Sequence, residues 1–137
     1  MTALTETGPG AYDASIDPQW TIAGKPNGGY LLAMLGRAAT AISPHRHVIA
    51  ASAHYLHSPE PGPVRVVAEV LRAGRSASQV HARLLQDGRP CVDSLLTITD
   101  LDAGAKPYWD AGLPAASAAP AETCVRLPAL SPAGFAV

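Results

Sequence analysis

Cysteine is scarce in this chain, aromatic residues are few, and neither sign of charge is in excess. Cys91 and Cys124 are the only cysteines among 137 residues. That excludes a disulfide framework and leads to the expectation of a reducing, cytoplasmic setting. Ten basic residues stand against eleven acidic ones, a net charge of -1. No basic face is left for nucleic acid or for a membrane surface. The first ten residues have neither a positive start nor an apolar stretch, so no signal peptide is read there. No apolar run reaches the roughly 20 residues that a bilayer needs. A Gly-x-Ser-x-Gly elbow is missing, which argues against an α/β-hydrolase. His45, His47, His54 and His57 fit no closed zinc spacing, and no cysteine or carboxylate cluster accompanies them. Neither a metal nor a cofactor is expected.

What is present is organised around residues 25–42, Lys-Pro-Asn-Gly-Gly-Tyr-Leu-Leu-Ala-Met-Leu-Gly-Arg-Ala-Ala-Thr-Ala-Ile. Asn27 suits a helix N-cap, and Pro26 disfavours helix at Lys25. Ser43-Pro44 supplies a stop. The spacing predicts a helix over 28–42. Beyond Gly29 it is apolar nearly all round, so it is expected to be buried on every face and wrapped by other elements. Residues 47–57 are apolar on both parities, which suits a strand covered on both sides. Ser58-Pro-Glu-Pro-Gly-Pro63 is a turn. Residues 64–72, 76–86 and 90–99 alternate apolar and polar, with hairpin signals at 73–75 and at Asp87-Gly88. Three hairpins in succession predict an antiparallel meander. Residues 12–16 and 20–22 read as short extended pieces and 1–10 as a frayed start. After residue 102 alanine and proline dominate and periodicity is lost. The expected division is therefore a domain over 1–101 and a linker or tail over 102–137. Tyr108-Trp109 is the one bulky pair before the end of that tail, and 132–137 reads as a cut rather than a natural terminus. The fold class is α+β, an antiparallel sheet wrapped around a central helix.

Several residues are candidates for chemistry. At Asn27, Gly28 and Gly29, free amides at a helix start can polarise a carbonyl oxygen; the same residues also suit a tight turn that seats the helix. His54, Tyr55 and His57 lie in the first long strand. A histidine there could serve as a general base, or these can be ordinary interface residues. His54 and His57 face opposite ways in a regular strand and cannot share a role. Arg72, Arg75 and Ser76 flank a hairpin; arginine matches phosphate oxygens in a bidentate way, and a solvated turn is the alternative. Cys91 reads as a small strand residue with nothing nearby to activate it.

Four motifs then follow in order: Asn27-Gly28-Gly29-Tyr30, Ser52-Ala-His-Tyr-Leu-His-Ser-Pro59, Val70-Leu-Arg-Ala-Gly-Arg-Ser76 and Gln86-Asp-Gly-Arg-Pro90. Together they resemble the N-terminal half of acyl-CoA thioesterases of the double hot-dog, thioesterase II-like type, over roughly residues 10–101. The resemblance implies a hot-dog fold and hydrolysis of acyl-CoA thioesters, in lipid metabolism. It also implies pairing with a second hot-dog unit, within one chain or as a homodimer, with the central helices at the interface and the substrate between units. Tyr30 and Tyr55 join Arg72, Arg75 and Ser76 as expected substrate contacts. In that family the catalytic acid stands at the start of the central helix of the C-terminal half. The matching place here is Gly28-Gly29, with no carboxylate. The resemblance thus leaves two expectations: half of a thioesterase, or a non-catalytic unit that binds acyl-CoA or acts as a scaffold. Sparse aromatics and many alanines allow an acyl tunnel but do not size it.

Overall fold

The computed structural model describes residues 3–102, 104–106, 112 and 119–125. Two units are distinguished, 1–101 and 102–137. In the second, the described residues include one short 3-10 turn, Ala121–Thr123. Tyr108, Trp109 and the 132–137 end lie outside the described residues.

The first unit is a six-stranded antiparallel sheet with one helix against it. Its strands are β1 (Leu4–Gly8), β2 (Ala11–Ile16), β5 (His47–Tyr55), β6 (Gly62–Ala73), β7 (Ala77–Gln86) and β8 (Arg89–Thr99). They are ordered β1-β2-β6-β7-β8-β5. A separate two-stranded ribbon, β3 (Thr21–Ile22) with β4 (Lys25–Pro26), precedes helix α1 (Gly28–Ile42). This is the expected hot-dog arrangement.

Alternation builds the core. Val64, Val66 and Ala68 of β6, Val80, Ala82 and Leu84 of β7, and Val92, Leu96 and Ile98 of β8 all face α1 and are buried. From the helix, Met34, Leu35, Ala38 and Ala39 are completely covered. The Asn27 carboxamide oxygen accepts from the amides of Gly29 at 2.9 Å and Tyr30 at 3.3 Å, as an N-cap should.

Four expectations need correction. The helix is not buried on every face. Gly29, Ala33 and Arg37 are exposed, and Leu32, Gly36 and Thr40 are half-buried, because the sheet covers only one side of it. For the same reason β5 is not covered on both faces: it is exposed along nearly its whole length. The sheet is not a simple meander. β5 pairs with β8 at the sheet edge, so the 58–63 segment crosses over instead of closing a hairpin. Finally, residues 4–8 are not frayed. They pair with β2 through a tight turn, where Gly10 takes φ 68°. A β-carbon at Gly10 would run into the carbonyl oxygen of Ala68, whose amide donates to Gly10 at 2.7 Å.

Candidate functional site

The candidate residues collect at two opposite ends of α1. Fifteen residues at 1.5 Å each separate those ends by roughly 22 Å.

At the N-terminal end stand Asn27, Gly28, Gly29, Tyr30 and Tyr55. Tyr55 points from β5 toward the helix, and its hydroxyl donates to the Gly28 carbonyl at 2.9 Å. A β-carbon on Gly28 would come within 3.1–3.3 Å of the Tyr55 ring. A side chain at 28 would therefore crowd the Tyr55 side chain, which would have to shift by a few tenths of an ångström to admit it. Three of the four first-turn amides are already engaged: those of Gly29 and Tyr30 by the Asn27 side chain, and that of Leu31 by the Asn27 carbonyl at 3.2 Å. The Gly28 amide is the one the cap does not take, so a carbonyl oxygen arriving here meets one donor. Beside it is a cavity of about 300 Å3 lined by Pro26, Gly28, Leu31, Tyr55, Leu56, His57, Ser58 and Pro59. Tyr30 is buried under Trp20, the rings stacked at 5.4 Å and 3°. Its hydroxyl accepts from the Asp17 amide at 3.1 Å and lies 3.4 Å from the Ser15 carbonyl.

At the other end, Arg75 and Ser76 sit in the β6–β7 hairpin. Buried His45 holds this hairpin. Its Nδ1 is 2.9 Å from the Ser78 hydroxyl and its Nε2 is 3.4 Å from the Arg75 carbonyl. Arg72 pairs across strands with Gln79. Nearby, Arg46 donates to Asp100 from its backbone and its Nε at 3.1 and 2.9 Å. That hydrogen bonding from Arg46 holds the Asp100 carboxyl below its usual range.

The two ends are joined by a groove of about 650 Å3 along the uncovered face of α1. Leu32, Ala33, Gly36 and Thr40 form one side, and Val48, Ala51 and Leu96 form the other.

His54 is not brought to the helix start. Strand neighbours alternate, and with Tyr55 turned toward α1, His54 lies on the outer face opposite Asp93 of β8. On that face lies a hydrogen bond that the sequence reading missed: His81 Nε2 stands 2.6 Å from Asp93 Oδ1. The alternation on either side of the Asp87-Gly88 turn was the signal that could have revealed it. His57 Nδ1 is 2.9 Å from the Pro90 carbonyl. Burial pushes the Cys91 thiol up, away from reactivity. Among the described residues, no group of three His, Cys, Asp or Glu could share a metal ion. No helix among them is long and apolar enough to cross a membrane.

Residues 16–99 match a family model described as the acyl-CoA thioesterase N-terminal domain. Uncharacterized proteins of Mycobacterium tuberculosis and Mycobacterium bovis are 31% identical over 93 residues, 64% of this chain and 32% of theirs. The match thus spans about a third of the length of these curated relatives. A solved structure from Thermobifida fusca YX, provisionally described as a thioesterase II, is 34% identical. It superposes with a TM-score of 0.80 over 83% of this chain and 43% of that one. A protein of unknown function with a hot-dog fold from Alicyclobacillus acidocaldarius gives a TM-score of 0.74 at 19% identity, over 96% of this chain and 49% of that one.

Proposed function

This chain belongs to the acyl-CoA thioesterase N-terminal domain family, and on that premise we propose that it is one hot-dog unit of an acyl-CoA thioester hydrolase. It is the N-terminal unit of a double hot-dog enzyme, and it works against a second unit seated on its open helix face. The observation that carries this reading is the groove between α1 and β5, open, mainly apolar and running from the helix start. An exposed apolar patch of that kind marks an interaction or ligand surface. The lengths of the relatives agree with it, since the match spans less than half of the Thermobifida chain.

Within this unit the Gly28 amide is the donor that meets the thioester oxygen, at the positive end of α1. Gly29 and Asn27 hold that turn in place. Tyr55 shapes the acyl side of the site, Tyr30 supports the helix start from beneath Trp20, and Arg72, Arg75 and Ser76 offer their hairpin to phosphate oxygens. His54, on the outer face, takes no part. The second unit supplies the base.

One observation favours the alternative, binding without turnover by this chain alone. Gly28 carries no carboxylate, and the Tyr55 ring occupies the space that a side chain there would enter. Calorimetric titration with acyl-CoA thioesters of increasing length tests the proposal. Saturable binding to the chain, weakened by Tyr55→Ala, is expected. Absence of binding to any of them would remove the reading.

A further inference from the structure

The small cavity at the start of α1 has two walls, and one ion pair ties their rims together. The first wall is the strap formed by residues 17–26. Asp17 caps a single 3-10 turn, Pro18–Trp20, by accepting from the Gln19 amide at 2.9 Å. β3 and β4 follow, closed by Ala23 at φ 51° and Gly24 at φ 77°, the two left-handed positions of a tight hairpin turn. The strap ends at Pro26, which lines the cavity.

The second wall is the segment 56–60, whose Leu56 and Pro59 line the opposite side. It is fastened to the sheet. The amides of Leu56 and His57 donate to the Cys91 carbonyl at 2.8 and 3.2 Å. The Gln86 side chain accepts from the Glu60 amide at 2.8 Å and donates to the Glu60 carbonyl at 3.0 Å.

The strap is fastened to the start of α1 instead. It is fixed there by the Trp20–Tyr30 stack, by a hydrogen bond from the Asp17 amide to the Tyr30 hydroxyl at 3.1 Å and by one from the Asn27 amide to the Trp20 carbonyl at 2.9 Å. Its hold on the second wall is Lys25 Nζ on Glu60 Oε1 at 2.8 Å. Lys25 adjoins Pro26 and Glu60 adjoins Pro59, two residues that line the cavity, so this pair ties the strap to the segment 56–60 beside it. Both partners are well exposed, which makes the bridge weak, screened by salt and easily reopened. The strap tip, Ile22, is also exposed.

We propose that the 17–26 strap is a gate on the cavity at the start of α1, latched by Lys25–Glu60, and that its aperture selects short acyl groups over bulky ones. The choice of ligand rests on the thioesterase reading above; the gate does not. The lining is mostly apolar, and about 300 Å3 is at the lower end of small-molecule sites.

The test reads the gate without turnover. Hydrogen exchange at the Asn27 amide, whose bond breaks when the strap lifts, is measured in the wild-type chain, Lys25→Met, Glu60→Gln and the swapped pair Lys25→Glu with Glu60→Lys. An exposed pair predicts that each single variant exchanges about twofold to fivefold faster at that amide. The swapped pair should return toward the wild-type rate. Salt at 1 M should speed the wild type and leave the single variants unchanged. The Val80 amide, in the core of β7, should not respond. Equal rates at Asn27 in all four proteins, or a rise at Val80 to match, would overturn the gate. A second arm titrates acetyl-CoA and benzoyl-CoA as probes. Lys25→Met should raise the affinity for benzoyl-CoA relative to acetyl-CoA by a similar factor, and an unchanged ratio would overturn the selection. If neither probe binds, the thioesterase reading fails, and the exchange rates still decide the gate.

Discussion

The Tyr55 hydroxyl donates to the Gly28 carbonyl at 2.9 Å, and the same ring lies where a side chain at 28 would project. One contact thus joins the edge strand β5 to the first turn of α1 and crowds a side chain at 28. The pair should be energetically coupled. Tyr55→Phe loses one hydrogen bond and is expected to cost about 1 kcal/mol. Gly28→Ala should cost more in the wild type than in a Tyr55→Ala background. A double-mutant cycle by urea unfolding should give a coupling of at least about 0.5 kcal/mol. Strict additivity would mean that the ring does not constrain the turn.

The cap at Asn27 makes a separate prediction. Its side chain serves two amides, so Asn27→Ala should lower stability by about 1 kcal/mol, while Asn27→Ser should stay close to wild type. Thermal unfolding with equal losses for both would show that the cap contributes nothing specific.

Asp100 predicts a pH dependence. Its folded carboxyl is held low by Arg46. The contribution to stability is therefore present above the unfolded value, about 3.9, and is lost as pH falls through the lower folded value. The difference in Tm between wild type and Asp100→Asn should be small and steady from pH 7 to about 5, then shrink toward pH 3. A difference that grows on acidification would contradict the sign.

The two thiols should separate cleanly. Cys91 is buried and its thiol is pushed up by that burial, whereas Cys124 is exposed. Titration with a disulfide reagent at pH 7 should modify Cys124 promptly and Cys91 only on unfolding. Prompt reaction of both would mean that β8 opens readily.

Much of this fold could be read from local pattern. Asn27, Ser43 and the apolar run between them gave the helix, because caps and stops act within a few residues. Val80, Ala82 and Leu84 gave the inner face of β7, because period-two alternation is a local signal. Partner choice was harder. The 47–55 strand was legible as a strand, but its place beside β8 depends on contacts about forty residues away, as in Ser52 opposite Leu95. The 4–8 strand was missed because Thr-Glu-Thr carries no apolar alternation; its pairing depends on the turn at Gly10. At the site, Asn27, Gly28 and Gly29 stood out as a motif. The Trp20–Tyr30 stack and the Lys25–Glu60 bridge did not, since both join residues that are distant in sequence. The open face of α1 was hidden because an all-round apolar helix looks the same whether its cover comes from its own sheet or from a second unit.

The open face predicts association. Groove and edge strand together leave apolar surface that a second unit would cover. Light scattering should show a species heavier than the 14.1 kDa chain, and Ala51→Glu in the groove wall should shift it toward the single chain. A species of 14.1 kDa at all concentrations would oppose a paired form.

On the proposed function, this unit takes an acyl thioester but does not carry the base that hydrolyses it. The most direct measurement is steady-state turnover of an acyl-CoA series, short to long, by the purified chain. Enzymes typically turn over about 10 times per second, and losing a positioned base costs roughly 100-fold to 10,000-fold. Saturable binding with turnover at or below about 0.1 per second is expected. Turnover near 10 per second that is abolished by His54→Ala or His57→Ala would contradict it, and would place the base on β5 or in the segment just beyond it.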